Sequence, residues 1–129
     1  MAGQTFRRRD GEASRAMLDS LRAQLPRQQA VEGIDATVAA LREAQVSALL
    51  AGDLSSAPML WIGPDPVALA MSAEDLRDWG VADPVTERAD AALVRSLALT
   101  GAELHFVPAG ETAPRQGVGA LLRYAAGST

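Results

Sequence analysis

The residues of this chain that could perform acid and base chemistry lie on one predicted strand, where Glu103 precedes His105 by two positions. Alternate residues of a strand share a face, so this carboxylate and this imidazole could form a general acid/base pair. Such a pair also needs a nucleophile and a pocket, and no serine lies in a Gly-x-Ser-x-Gly turn. We therefore interpret His105, the only histidine in the sequence, as a solvated or locally hydrogen-bonded residue on a half-exposed face. An enzyme that uses Glu103 and His105 therefore ranks last of three hypotheses about the function of the chain.

Two glycines and one acidic cluster suggest other kinds of site. Gly117 and Gly119 are spaced like part of a phosphate-binding loop, but a third glycine, a P-loop lysine and a later ribose-binding acid are all missing. We interpret them as glycines that allow close backbone packing or positive φ. Glu74, Asp75 and Asp78 most resemble the solvated face of a short helix. We therefore assign no metal and no cofactor.

Composition limits which partners the chain can bind and which cellular compartment suits it. The sequence of 129 residues has a net charge of −4, which argues against general attraction to DNA or RNA. Its one basic run, Arg7-Arg8-Arg9, lies in residues 1–11, which we expect to form a flexible tail before a single domain at 12–129. The absence of cysteine excludes disulfides and thiolate chemistry and suits the cytoplasm. No apolar run approaches the roughly 18 residues that a membrane span needs.

Hydrophobic periodicity predicts helices that alternate with short strands. The predicted helices cover Glu12–Leu25, a stretch from Gly33 to about Ala44, Ser72–Gly80, and a stretch from Asp83-Pro84 to a cap at Gly101. The predicted strands cover Val46–Ala51, Met59–Ile62, less clearly Val67–Met71, and Ala102–Val107. This order favours the α/β class, as a three-layer α/β/α sandwich with a mixed, mostly parallel sheet.

The last predicted strand orients the candidate acid/base pair. Alternation places Leu104 and Phe106 on one face and Glu103, His105 and Val107 on the other, near a sheet edge or a strand end. The stretch 117–124 that follows is interpreted as a segment that covers the sheet. Both tryptophans, at 61 and 79, are interpreted as core anchors.

Several stretches match one known family. The end of the chain, Gly117-Val118-Gly119-Ala120-Leu121-Leu122-Arg123-Tyr124, resembles the glycine-rich end of the third domain of archaeo-eukaryotic peptide chain release factors and their pelota relatives. The strand after Gly101 resembles the family's preceding strand. Gly33-Ile34-Asp35-Ala36-Thr37 and Val46-Ser47-Ala48-Leu49-Leu50 resemble its helix start and first strand. The resemblance covers about residues 28–125, and its structural motif residues here are Gly33, Asp35, Gly101, Gly117, Gly119 and Tyr124.

The resemblance implies a fold, a role and a type of partner. The implied fold is the α/β/α sandwich shared with kink-turn-binding ribosomal proteins. In the family, peptidyl-tRNA hydrolysis and codon reading belong to other domains, which this chain does not match, so we expect a non-catalytic fragment of a longer protein. The implied role is that of a protein-interaction domain in translation or ribosome rescue, with the ribosome or a translation-associated NTPase as partner. The Ala- and Arg-rich composition, together with Ala30-Val31-Glu32-Gly33 and Leu60-Trp61-Ile62-Gly63, resembles the bacterial branch of that superfamily.

An RNA-binding module of the kink-turn type is the alternative. Those relatives contact RNA through a Gly-Thr-Asn-Glu-like helix start and a nearby lysine. The matching positions here are Gly33-Ile34-Asp35-Ala36, with Ala39 at the position of the cation. A carboxylate that replaces an amide, with no lysine beside it, disfavours an approaching phosphate. For contact with a partner we select instead the polar residues Arg115, Gln116 and Arg123.

Overall fold

Helices and short strands alternate along the chain in the computed structural model, which describes residues 10–123 except 56, 66 and 109. The helices are α1 (Asp10–Gln24), α2 (Ile34–Arg42), α3 (Ala73–Asp78) and α4 (Ala89–Thr100). The strands are β1 (Ala30–Glu32), β2 (Val46–Ala51), β3 (Leu60–Ile62), β4 (Leu69–Ala70), β5 (Val85–Glu87), β6 (Glu103–Phe106) and β7 (Val118–Leu122). Short 3-10 turns cover Leu25–Arg27 and Arg115–Gly117.

The larger sheet has four strands in the order β1-β7-β2-β6 and is covered on both faces. Leu50 of β2 packs with α1, because Leu18 and Leu21 recur at helical spacing on one face of that helix. Leu49, one residue earlier, points to the opposite face and joins the main core with residues of α2 and α4. This alternation produces the three layers, and the predicted α/β class with a mixed sheet is confirmed.

The expected predominance of parallel strands is wrong for the described residues. Only β2 and β6 pair in parallel in this sheet, whereas β7 pairs antiparallel with both β1 and β2. The sheet-covering segment that the sequence predicts at residues 117–124 includes Val118–Leu122. Instead these residues form an interior strand, with Val118 and Ala120 fully buried. The sequence pattern does not predict this strand, because Gly119 is a poor strand former and interrupts the apolar run.

A second, antiparallel sheet has the order β4-β3-β5 and shares the main core through Leu60 and Leu69. The predicted helix from Asp83 begins too early. Val85–Glu87 pair with β3 as a strand, and the helix begins at Ala89. The β-branched side chains of Val85 and Thr86 favour the extended conformation, which outweighs the helix-start signal of Pro84.

The short helix α3 matches its prediction. Ser72 Oγ accepts a hydrogen bond from the Asp75 N–H at 3.3 Å, which is the expected N-cap. Trp79, just after this helix, is not a core anchor, because its side chain is 46% exposed. The Arg42 guanidinium lies 4.1 Å from the centre of the Trp79 ring in a cation–π contact.

Candidate functional site

Glu103 and His105 lie on β6, an edge strand of the larger sheet, as expected. Glu103 Oε1 lies 2.9 Å from His105 Nε2. The other ring nitrogen, Nδ1, lies 3.4 Å from Ser14 Oγ on α1. The order serine, histidine, carboxylate is that of a hydrolytic triad, and the candidate residues predicted from the sequence do not include the serine. Ser14 falls four residues before Leu18 on the buried face of α1, which is the signal that could have revealed it.

The burial of this trio opposes a catalytic role. Ser14 is 2% exposed and His105 5% exposed beneath α1, so a substrate cannot reach the hydroxyl oxygen. The Glu103 side chain is 66% exposed, which removes the enclosed acid/base pocket that the enzyme hypothesis requires. The expectation of a half-exposed His105 is also wrong. Alternation along β6 holds, but the buried face is that of His105, whereas Phe106 points outward and is 52% exposed.

Arg115 and Gln116 lie together at the start of α2. Gln116 Oε1 accepts a hydrogen bond from the Ile34 N–H at 2.9 Å and so caps the helix. The Arg115 N–H donates to Glu32 Oε1 at 3.1 Å. Gly33 has φ +95°, and a Cβ added there would meet Gln116 Oε1 at 3.1 Å. The structure therefore gives Gln116 a capping contact, while the Arg115 side chain is exposed.

Arg123 lies at the other end of the larger sheet and contacts backbone oxygens. Its Nε donates to the Val46 carbonyl and its Nη2 to the Thr100 carbonyl, both at 3.1 Å. Thr100 is the last residue of α4, where a cation is favoured by the helix dipole. Arg123 thus links α4 to the start of β2. Tyr124 lies outside the described residues.

The motif glycines occupy positions with distinct geometry. Gly101 has φ +77° and forms the left-handed C-cap of α4, as predicted. Gly117 has φ +85°, and a Cβ there would meet the Asp53 carbonyl oxygen at 2.9 Å. A Cβ on Gly119 would meet the Val31 carbonyl oxygen at 3.0 Å. Asp35, the remaining motif residue, is exposed in the first turn of α2.

A groove of about 510 Å³ lies at the carboxyl end of β2, on the face of β6 opposite His105. Its lining includes Leu104 and Phe106 of β6, Val94 of α4, and Asp53 in the loop after β2. The sequence does not indicate this groove, because its residues come from three separate stretches of the chain.

Charged groups line one side of this groove. Hydrogen bonds from the Ser55 backbone N–H and then its side chain lower the pKa of Asp53 below its ordinary value. Arg88 Nη2 lies 2.6 Å from Asp90 Oδ2, and this hydrogen bond lowers the pKa of Asp90 and raises that of Arg88. All three groups are therefore charged at neutral pH.

Within residues 10–123, apart from the three positions noted above, no group of three or more His, Asp or Glu side chains is arranged to hold a metal ion. In the same part of the chain, no helix combines the length and the apolar character that crossing a membrane requires.

Among the solved structures that share this fold are a release-factor domain and Dom34. The C-terminal domain of a peptide chain release factor from Methanosarcina mazei matches 98% of this chain and 91% of its own, with a TM-score of 0.62 and 16% identity. Dom34 of S. cerevisiae, a translation termination-like factor involved in RNA quality control pathways and interacting with Hbs1, matches 91% of this chain with a TM-score of 0.53 and 13% identity. This chain covers 28% of the Dom34 chain. No protein-family model and no curated protein matches the sequence.

These matches therefore establish which fold the chain has. The chain has the α/β fold of a release-factor C-terminal domain, and the resemblance seen in the sequence agrees with that fold.

Proposed function

We propose that this chain is a non-catalytic protein-interaction domain of a release-factor-like protein from bacteria, associated with translation or ribosome rescue in the cytoplasm. The observation that carries the proposal is the fold match to the Methanosarcina mazei release-factor domain over 98% of this chain. The proposed partner is a protein of the translation apparatus, either on the ribosome or a translation-associated NTPase. Any peptidyl-tRNA hydrolase activity of the whole protein would belong to another domain.

The geometry of the polar trio supports a domain without its own catalysis. Ser14 Oγ is the only hydroxyl that contacts His105 in the described part of the chain, and both residues are buried. A nucleophile must reach the carbonyl carbon of its substrate, and a base must lie within hydrogen-bond reach of it. His105 lies within loose hydrogen-bond reach of Ser14, so the requirement for a nearby base is met. The buried Ser14 hydroxyl cannot reach a substrate, so the requirement for an accessible nucleophile is not met. The role of the trio is to satisfy the polar groups of the imidazole beneath α1.

The start of α2 supports protein rather than RNA as the partner. The Ile34 N–H, which would face a phosphate in the kink-turn alternative, already donates to Gln116. The Asp35 carboxylate adds negative charge in the same helical turn. Two features of this one surface therefore oppose a phosphate contact.

The proposal is tested with the purified chain in sedimentation and binding assays. We expect co-sedimentation with bacterial ribosomes, or binding to a purified translational NTPase, and no release of peptide from peptidyl-tRNA. Absence of both kinds of binding contradicts the translation role, and peptide release by the chain contradicts the non-catalytic role. A parallel titration with kink-turn RNA at 50 and 200 mM salt tests the alternative, because phosphate contacts weaken steeply over this range. A strong and salt-dependent affinity for that RNA favours the RNA-binding module.

A further inference from the structure

Exposed apolar side chains concentrate around the groove beside β6. Met59, Val94 and Phe106 are each about half exposed, and all three line this groove. Leu49 and Leu93 of the main core lie at its base. Contiguous apolar surface of this kind is characteristic of binding sites, whereas scattered apolar residues are normal on any protein surface.

The backbone of β6 offers hydrogen-bonding groups at the same place. The Val107 N–H donates to the Ala51 carbonyl of β2 at 2.9 Å. The peptide groups of Val107 and of every second residue before it therefore point toward β2. Because these groups alternate along a strand, the N–H and C=O groups of Leu104 and Phe106 point away from β2. In the part of the chain that the structure describes, no strand pairs with that outer edge. The same two residues therefore present outward backbone groups and line the groove.

Charge at the groove selects the chemistry of the occupant. Arg88 is paired with Asp90, so these two charges largely offset each other. The Asp53 carboxylate is held ionised by Ser55, and within the described residues no salt bridge reaches it. The lining therefore combines an apolar base with a net negative charge, which complements an apolar side chain that has a cationic neighbour.

We propose that this groove binds an extended segment of a partner protein, which adds as a strand to the outer edge of β6. An apolar side chain of the segment inserts between Met59, Val94 and Phe106, and a neighbouring Lys or Arg faces Asp53. Strand addition supplies the backbone hydrogen bonds, and the apolar base supplies the selectivity for the inserted side chain. This inference rests on the proposed role as a protein-interaction domain, and it specifies the surface and the type of segment.

The test begins with selection from a phage-displayed library of random twelve-residue peptides on the full chain. A peptide with the selected sequence is then labelled and titrated by fluorescence anisotropy. We expect the selected sequences to carry a large apolar residue within two positions of Lys or Arg. Phe106→Ala should weaken binding about tenfold, because an aromatic anchor at a groove contributes strongly. Phe106→Pro should weaken it further, because proline also removes an outward N–H.

Two further variants complete the design. Val85→Ser is the matched control, because Val85 is 56% exposed but lies on the other sheet, and we expect unchanged affinity. Asp53→Asn should reduce both the affinity and its dependence on salt. Circular dichroism checks that each variant is folded. Library selection that enriches no motif, or affinities that neither Phe106 variant changes, overturns the groove as a peptide site. Affinity that is unchanged in Asp53→Asn overturns the cationic partner.

Other occupants give different results. A dimer that is lost in Phe106→Ala, with no peptide binding, identifies a second copy of this chain and overturns the proposal. Peptide binding that appears only after Phe6→Ser and Arg7→Ser substitutions identifies the chain's own N-terminal sequence instead. Peptide binding without ribosome or NTPase binding retains the groove and contradicts the proposed function. Ribosome or NTPase binding without peptide binding retains the proposed function and overturns the groove as a peptide site.

Discussion

Gln116 joins two parts of the chain through one side-chain oxygen, which accepts the Ile34 N–H at 2.9 Å. We predict that Gln116→Ala lowers the free energy of unfolding by about 1 kcal/mol, because it leaves a helix N-terminal donor without its cap. Urea denaturation measures the loss. Gln116 has φ +57°, and alanine experiences similar backbone strain there, so the comparison isolates the cap.

Arg115→Ala is the matched control for Gln116, because Arg115 makes its hydrogen bond to Glu32 through the backbone N–H. The stability of this variant should stay within about 0.5 kcal/mol of the original chain. Equal losses at the two positions would show that the cap contributes nothing specific. The sequence could not predict this contact, because 82 positions separate Ile34 from Gln116 and only the folded chain brings them together.

Asp90 provides a prediction about pH. Hydrogen bonds from Arg88 at 2.6 and 3.2 Å lower the pKa of this carboxyl, so the folded state favours its ionised form. The stabilisation is present above the unfolded pKa of about 3.9 and is lost as pH falls through the lower folded value. We predict that Arg88→Gln raises the pKa of Asp90, which NMR titration of the carboxyl carbon measures. Asp53, whose pKa is lowered by Ser55, is the internal control and should not change.

At the scale of elements, Gly119 explains both the geometry of β7 and the difficulty of predicting it. A Cβ on this residue would lie 2.9 Å from Leu21 Cδ1 and 3.0 Å from the Val31 carbonyl oxygen. We predict that Gly119→Ala costs about 1 to 3 kcal/mol in unfolding free energy, because the backbone of β1 cannot move without loss of its pairing. Thermal and urea unfolding both measure this cost.

Gly101→Ala distinguishes the cost of backbone strain at a glycine from the cost of steric overlap, which Gly119→Ala measures. Gly101 has φ +77° and open space around it, so alanine there costs about 1 kcal/mol through backbone strain alone. Asparagine should recover part of the loss at position 101, because it tolerates the left-handed region. At position 119 a larger side chain can only increase the loss. Rescue by asparagine at 119 would contradict the packing explanation.

The elements that the sequence predicted correctly are those with local signals. The faces of α1 and α2 follow helical periodicity, and the caps Ser72 and Gly101 follow known residue preferences. By contrast, β1 has three residues and β7 contains a glycine, so neither shows a clear period. The antiparallel position of β7 between β1 and β2 depends on pairing between distant stretches. The groove beside β6 could not be predicted for the same reason.

At the scale of the whole described chain, the two sheets share one core. Leu60 of β3 is fully buried in the same cluster as Leu49 of β2 and Leu93 of α4. Arg95 of α4 adds a polar link, because its Nη2 donates to the carbonyls of Gly63 and Pro64 at 2.8 and 3.0 Å. A shared core couples the unfolding of the parts that contribute to it, so we expect one cooperative transition.

Both tryptophans make this cooperativity measurable. Trp61 lies on β3 and Trp79 directly after α3, so fluorescence reports on the smaller sheet, whereas far-UV circular dichroism reports on all elements. We predict equal urea midpoints for the two signals. Leu60→Ala should lower both midpoints together, at a cost of about 2 to 5 kcal/mol. Met71→Ala, at a position 37% exposed, is the control and should change neither. A fluorescence transition that precedes the dichroism transition would mean that the smaller sheet unfolds as a separate unit and that the shared core does not couple the two sheets.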